Sequence, residues 1–312
     1  MMKRADFLKL GTAGLAGAAM PPVSVSGTQQ ERIRPHRLQG MPLRKALMLG
    51  TFPNRGDYTL MEQFEMLRDA GFDGVEPGSG LNREEVLAAR EATGLEIPSV
   101  VVSTHWSQPL SSSDPSVREA GVEGLKTALY DAHEYDAGCV LLVPGVVNAE
   151  VSYDQAYRRS RYEIEQVLPL AEELNVVIAI ENVWNHFLLS PMEAARYVDE
   201  FHSPWVGWYF DIGNILNYGW AYHWIRILGD RIVMIHIKEY SRQLRDEEGL
   251  WRGFRANLTE GDNNWPEIMK ALEETGYSGY AIAEPAYREP DVSDADWLRE
   301  YVSGRMDRIF QM

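Results

Sequence analysis

The chain is predicted to be an α/β protein, a single (β/α)8 TIM barrel, on three observations. From residue 44 onward, short β-branched runs alternate with longer amphipathic ones, the mark of repeated βα units around a parallel sheet. The strand-like runs number eight, the count that closes such a barrel. The 312 residues, 45% hydrophobic and 24% charged, suit a globular α/β domain of about 200 to 300 residues.

In order, strands are expected at 46–50, 74–76, 97–103, 139–143, 176–181, 206–211, 232–236 and 280–284. Amphipathic periodicity predicts helices over 60–70, 116–135, 153–174, 191–201, 215–228 and 265–275, with a last helix from about 293 to the end. An internal echo supports equivalent units: Leu67-Arg68-Asp69-Ala70-Gly71-Phe72 is matched by Leu272-Glu273-Glu274-Thr275-Gly276-Tyr277. In each, glycine ends a helix in the left-handed conformation and an aromatic packs before the next strand. The single cysteine, Cys139, lies in an apolar run, so a buried core thiol is expected and a disulfide within the chain is excluded.

Residues 1–28 read as an export signal and linker, 29–43 as a lead-in, and 44–312 as the barrel domain. Lys3-Arg4 precedes Phe7-Leu8-Lys9, a mild Gly/Ala stretch follows, and Ala16-Gly17-Ala18 offers a cleavage site. The pattern resembles the twin-arginine signal, although the second arginine is missing. A periplasmic location is therefore expected, with the cytoplasm as the alternative. The apolar run is too short and glycine-rich to span a membrane. Lys plus Arg total 30 against 46 Asp plus Glu, a formal charge of −16, which repels polyanions and argues against a nucleic-acid partner.

Four consecutive predicted strands end in a metal-capable group: Glu181, Asp211, His236 and Glu284. Side chains at the C-terminal ends of barrel strands converge on the mouth. One such carboxylate has a bland explanation in a surface turn; four in a row do not. Three carboxylates beside one imidazole require a cation to offset their repulsion. The oxygen-rich set suits one divalent ion, Mn2+ foremost, with Mg2+, Co2+ or Zn2+ as alternatives.

The set Glu181-Asn182, Asp211-Ile212-Gly213-Asn214, His236-Ile237-Lys238 and Glu284-Pro285 resembles the xylose isomerase-like barrels, which include sugar 3-epimerases and hydroxypyruvate isomerase. Gly261-Asp262 followed by Trp265 resembles that family's glycine-rich stretch, with Thr259 in place of its first glycine. The resemblance implies a metal-dependent sugar isomerase or epimerase that abstracts a proton next to a carbonyl through an enediolate. Glu181 and Glu284 would be its catalytic base and acid. Asp211 and His236 would hold the metal, and Arg242 would contact substrate. The chain departs from the epimerase pattern at Asn214, where many members carry histidine, and at Phe187, where a second glutamate is usual. The loss of that histidine also weakens a nuclease reading.

Further residues have two readings each. His105, at the end of strand three, would bond a substrate hydroxyl or merely its own loop. Glu76 would be a site carboxylate or the partner of a barrel-internal lysine or arginine. Lys238 would point inward with His236 or form a structural ion pair. Trp184, Tyr240 and Trp251 would stack on a sugar ring or pack their loops. A small-molecule sugar is the expected partner, and the sequence leaves a homo-oligomer open. Two other functions fit: a lyase or hydrolase of keto-glycosides using the same metal site, and a non-catalytic sugar-binding barrel.

Overall fold

The structure, a computed structural model, describes residues 42–312; the predicted export signal lies outside the described residues. Eight parallel strands form the sheet: β1 (Arg44–Met48), β2 (Gly74–Glu76), β3 (Ser99–Val101), β4 (Cys139–Leu142), β5 (Val177–Glu181), β6 (Val206–Asp211), β7 (Ile232–Ile237) and β8 (Tyr280–Ala283). Their order, β2-β1-β8-β7-β6-β5-β4-β3, is that of a barrel opened between β2 and β3. Isolated bridges from Gly74 to Glu96 and from Gly78 to Val101 nearly close that seam.

Helices α1 (Leu60–Asp69), α2 (Arg83–Thr93), α3 (Pro115–Glu134), α4 (Tyr153–Leu174), α5 (Pro191–Asp199) and α6 (Ala221–Leu228) follow the first six strands in turn. A short α7 (Arg242–Glu248) lies in the loop after β7, before α8 (Trp265–Glu274). A C-terminal helix begins with Asp294–Asp296, widens to a π-helical turn over Trp297–Ser303, and ends with Gly304–Phe310. Side chains cap α1 (Thr59), α2 (Asn82), α3 (Asp114), α5 (Ser190) and α8 (Asn264), each satisfying an N–H that the first turn leaves unpaired. The two echoed glycines take positive φ, +83° at Gly71 and +67° at Gly276, as a helix stop requires.

The differences from expectation are local. The expected helix 215–228 is broken into a 3-10 turn at Gly213–Ile215 and α6, because the carbonyls of Leu216 and Gly219 are taken by the Arg242 guanidinium rather than by a continuing helix. Strand β3 is shorter than its apolar run, and residues 49–51 turn instead of extending β1. Helices α2 and α7 were not delineated by periodicity.

Alternation along the strands divides the core and positions the site. One face of each strand fills the barrel interior with Ala46, Val101, Cys139, Leu141, Val177, Ala179, Tyr209, Met234, Tyr280 and Ile282. The other face, including Val140, Ile178, Ile180, Trp208, Phe210, Ile235 and Ile237, packs under the helices. Because side chains alternate with period two, Glu181 follows Ala179 inward, Asp211 follows Tyr209, His236 follows Met234, and Glu284 follows Ile282. The same parity sends Glu76 and Ser99 inward lower in the barrel.

Candidate active site

The four strand-end groups meet. One donor atom from each of Glu181, Asp211, His236 and Glu284 lies within 4.8 Å of the others. Asp211 and His236 are fully buried, Glu181 nearly so, and Glu284 faces the mouth. The Nδ1 of His236 lies 3.2 Å from Glu181 Oε1 and 3.1 Å from Glu284 Oε2, so the imidazole presents this nitrogen to the cluster.

The other imidazole nitrogen decides how well this set fits a metal ion. His236 Nε2 is 2.9 Å from Glu76 Oε2, and the other Glu76 oxygen accepts from Tyr209 Oη at 2.6 Å and from the Ser99 hydroxyl. Glu76 is completely buried and, among the described residues, is neither a member of the cluster nor the partner of a lysine or arginine. It stands behind His236 and accepts the Nε2–H, so that Nδ1 is the nitrogen whose proton a metal would displace, a common arrangement behind metal-binding histidines. Three carboxylates and one oriented imidazole in a buried floor are the donor chemistry of a divalent-cation site, and the cluster can hold such an ion.

Asp211 is held on three sides. Asn214 donates its backbone N–H to Oδ1 at 2.9 Å and its side-chain amide to Oδ2 at 2.7 Å. Asn182 brackets the same residue through the backbone, donating to its carbonyl at 2.7 Å and accepting its N–H at 3.1 Å. Lys238 Nζ reaches Asp211 Oδ2 at 3.3 Å and Glu284 Oε1 at 2.8 Å, so it points inward with His236.

The electrostatics follow from burial opposed by partners. Burial pushes Asp211 up to about 8 against the pull of Lys238, and burial likewise raises Glu181. Glu284 moves the other way: Lys238 and His236 overcome its desolvation. Burial alone would lower Lys238 and His236, but the surrounding carboxylates outweigh it and raise both. Two carboxylates of the cluster, Asp211 and Glu181, thus favour a proton and the third, Glu284, resists one.

Glu181, His236 and Glu284 form the floor of a cavity of about 410 Å³, with Asp211 buried beneath it. His105, Asn214, Lys238 and Trp184 all line it. His105 Nδ1 accepts the Val143 N–H at 3.3 Å, which leaves Nε2 as the N–H of the neutral ring; burial depresses its pKa to about 4. Trp184 donates its indole N–H to the Asn214 carbonyl at 2.8 Å. Arg242 is not among the lining residues. Its guanidinium bonds the carbonyls of Leu216 and Gly219 at 2.9 and 2.8 Å and lies over Trp220. Phe187 packs between Tyr153 and Tyr197 under the helices, away from the cavity, and Tyr240 is buried with its hydroxyl on the Leu250 carbonyl.

One residue with no sequence signal organises the loop before α8. Glu239 is buried and collects the N–H groups of Tyr240, Thr259 and Asn263 and the indole of Trp265 at 2.9 to 3.2 Å. Burial pushes it up to about 6 against these donors. It is the hub around which the 259–265 loop folds. Thr259 takes φ +72° there, and a Cβ on Gly261 would stand 2.5 Å from Glu239 Oε1. The family-like glycine stretch is explained by that close approach.

The comparisons agree with this geometry. The L-ribulose-5-phosphate 3-epimerase UlaE of Escherichia coli (strain K12) is 26% identical over 262 residues, 79% of this chain and 89% of its own. A D-psicose 3-epimerase from Clostridium cellulolyticum H10, solved with D-tagatose, shares the fold with a TM-score of 0.70 at 18% identity, covering 86% of this chain and 98% of its own. The 3-keto-D-glucoside 4-epimerase YcjR of E. coli does so with a TM-score of 0.69 at 17% identity, covering 85% and 99%. These relatives are sugar epimerases, a kind of isomerase. With residues 64–301 matching the model of that family, the chain belongs to the xylose isomerase-like TIM barrel family and is an enzyme of the isomerase class.

Proposed function

We propose that the protein is a divalent-metal-dependent sugar isomerase or epimerase that moves a proton at a carbon next to a carbonyl. The observation that carries this reading is the placement of Glu181 and Glu284. They come from β5 and β8, flank the same imidazole nitrogen at 3.2 and 3.1 Å, and sit on the floor of a cavity open to a sugar. A bound divalent ion, Mn2+ foremost, would be held by Glu181, Asp211, His236 and Glu284 and would supply Lewis acidity to the substrate carbonyl.

The protein's own groups then have defined tasks. One of Glu181 and Glu284 takes the proton from carbon and the other returns a proton, on opposite faces for inversion. Lys238, between Asp211 and Glu284, offsets the negative charge of the floor. Asn214 and Asn182 fix the Asp211 carboxylate. The His105 Nε2–H donates to a sugar hydroxyl, and Arg242 holds the 216–219 turn that follows Asn214. A leader of twin-arginine type fits a substrate met outside the cytoplasm. The test is hydrogen exchange: in D2O with Mn2+, a ketose panel should take up deuterium next to the carbonyl, and Glu181→Gln and Glu284→Gln should each abolish uptake. Absence of exchange across the panel removes the reading.

A further inference from the structure

The cavity above the carboxylate floor is walled by aromatic side chains. About 410 Å³ falls in the range of pockets that enclose drug-sized ligands, roughly 300 to 1,000 Å³. The polar lining groups lie on or near the floor, whereas the outer wall carries Trp106, Trp184, Trp251 and Phe254. Two of these tryptophans are left open to solvent, Trp106 by 53% and Trp251 by 66%. Trp184 is occupied in packing, with centroids 4.8 Å from both Trp251 and Phe254. Trp106 meets His105 edge-on.

Their placement in the barrel is opposed. Trp106 follows β3 and Trp251 follows β7, and these strands lie four places apart in the eight-stranded order, on facing sides of the mouth. Two indoles at one cavity mouth offer flat apolar faces to a bound ring. Charge narrows the occupant further. Among the described residues lining the cavity, Lys238 is the only lysine or arginine, and its ammonium is already engaged by Asp211 and Glu284. A phosphate would find Glu181 and Glu284 on the floor and, among the described residues, no unengaged lysine or arginine on the lining.

We infer that the substrate is an uncharged keto-glycoside whose second ring is held between Trp106 and Trp251 while its keto-sugar ring rests on the carboxylate floor. The inference rests on the proposed function for the orientation of the keto-sugar, but the ring subsite is a binding property that can be measured without turnover. Aromatic faces hold the apolar face of an aryl or pyranose ring by stacking, and the aglycone thereby becomes the source of specificity.

The test compares the methyl and phenyl β-glycosides of 3-keto-glucose, with D-ribulose 5-phosphate as the charged alternative, by calorimetric binding to the Mn2+-loaded full chain. The phenyl compound should bind about tenfold more tightly than the methyl one, ~1.4 kcal/mol. Within Trp106→Ala and within Trp251→Ala, that ratio should fall to near one. Because both side chains are largely exposed, a melting curve should confirm that each variant stays folded. Equal binding of the two glycosides, a ratio unchanged in both variants, or tighter binding of the phosphate would overturn the subsite. Deuterium uptake from D2O, run separately on the same compounds, tests the isomerase reading. Its failure with the phenyl preference intact would remove the reaction and leave the subsite standing.

Discussion

Replacing Glu76 by glutamine keeps the shape of the barrel interior but should weaken the metal site from behind. In the native chain one Glu76 oxygen accepts from Tyr209 and Ser99 and the other from His236 Nε2 at 2.9 Å. A glutamine satisfies the two hydroxyl donors with its carbonyl, which turns its NH2 toward His236. The imidazole must then offer Nε2 as an acceptor and carry its proton on Nδ1, the nitrogen that faces Glu181 and Glu284. The lone pair needed for a metal is lost unless the ring pays to switch back. Losing such a supporting carboxylate typically costs 10- to 100-fold in metal affinity, about 1.4 to 2.7 kcal/mol. That range overlaps the ~1.5 to 3 kcal/mol of a hydrogen bond to a charged group. Titration of metal-stripped protein with Mn2+ by calorimetry, beside a melting curve to confirm folding, measures it. An affinity within twofold of the native value would refute the tautomer argument.

Three other outcomes are expected. His105 is held near a pKa of about 4 by burial, against about 6.5 in the unfolded chain, so the unfolded state gains a proton that the folded state refuses as pH falls between these values. Native stability should drop by about 3 kcal/mol over that window. His105→Asn should remove that part of the loss, and denaturant unfolding at pH 7 and pH 4 with parallel pH profiles would disprove the assignment. Gly261→Ala places a Cβ 2.6 Å from the Tyr240 carbonyl and 2.5 Å from Glu239, and should cost about 1 to 3 kcal/mol in denaturant unfolding; a neutral effect would show that the 259–265 loop is slack. Thr259→Gly relieves a left-handed threonine, a strain on the order of 1 to 3 kcal/mol partly offset by glycine entropy of about 0.5 to 1 kcal/mol. The melting temperature should rise by a few degrees, about 2 to 4 °C per kcal/mol at this size, and a fall would show that the strain is absent.

The convergence of the four strand-end groups was legible because each ends an apolar strand and period-two alternation fixes its side. Once Ala179, Tyr209, Met234 and Ile282 point inward, Glu181, Asp211, His236 and Glu284 must follow. Glu76 has the same parity, yet its level in the barrel depends on how strands stagger, which the linear sequence does not carry. It therefore reads equally as a ligand or as an ion-pair member, and its place behind His236 emerges only from the register. Glu239 is harder still. It is one residue past Lys238 with the opposite parity, and its value comes from four donors, three of them twenty or more residues away, on a loop whose path it sets. Arg242 sits where the family resemblance implies a substrate contact, but two free carbonyls in the turn before α6 draw its guanidinium there. The break of helix 215–228 and the placement of Arg242 are one event.

Deuterium incorporation from D2O tests the central claim most directly. With Mn2+ present, a substrate ketose or keto-glycoside should gain solvent deuterium at the carbon next to its carbonyl. Glu181→Gln and Glu284→Gln should stop that uptake while still binding the sugar. Uptake that persists in both variants, or none in the native enzyme with any member of the panel, would contradict the assignment of these two carboxylates to proton transfer.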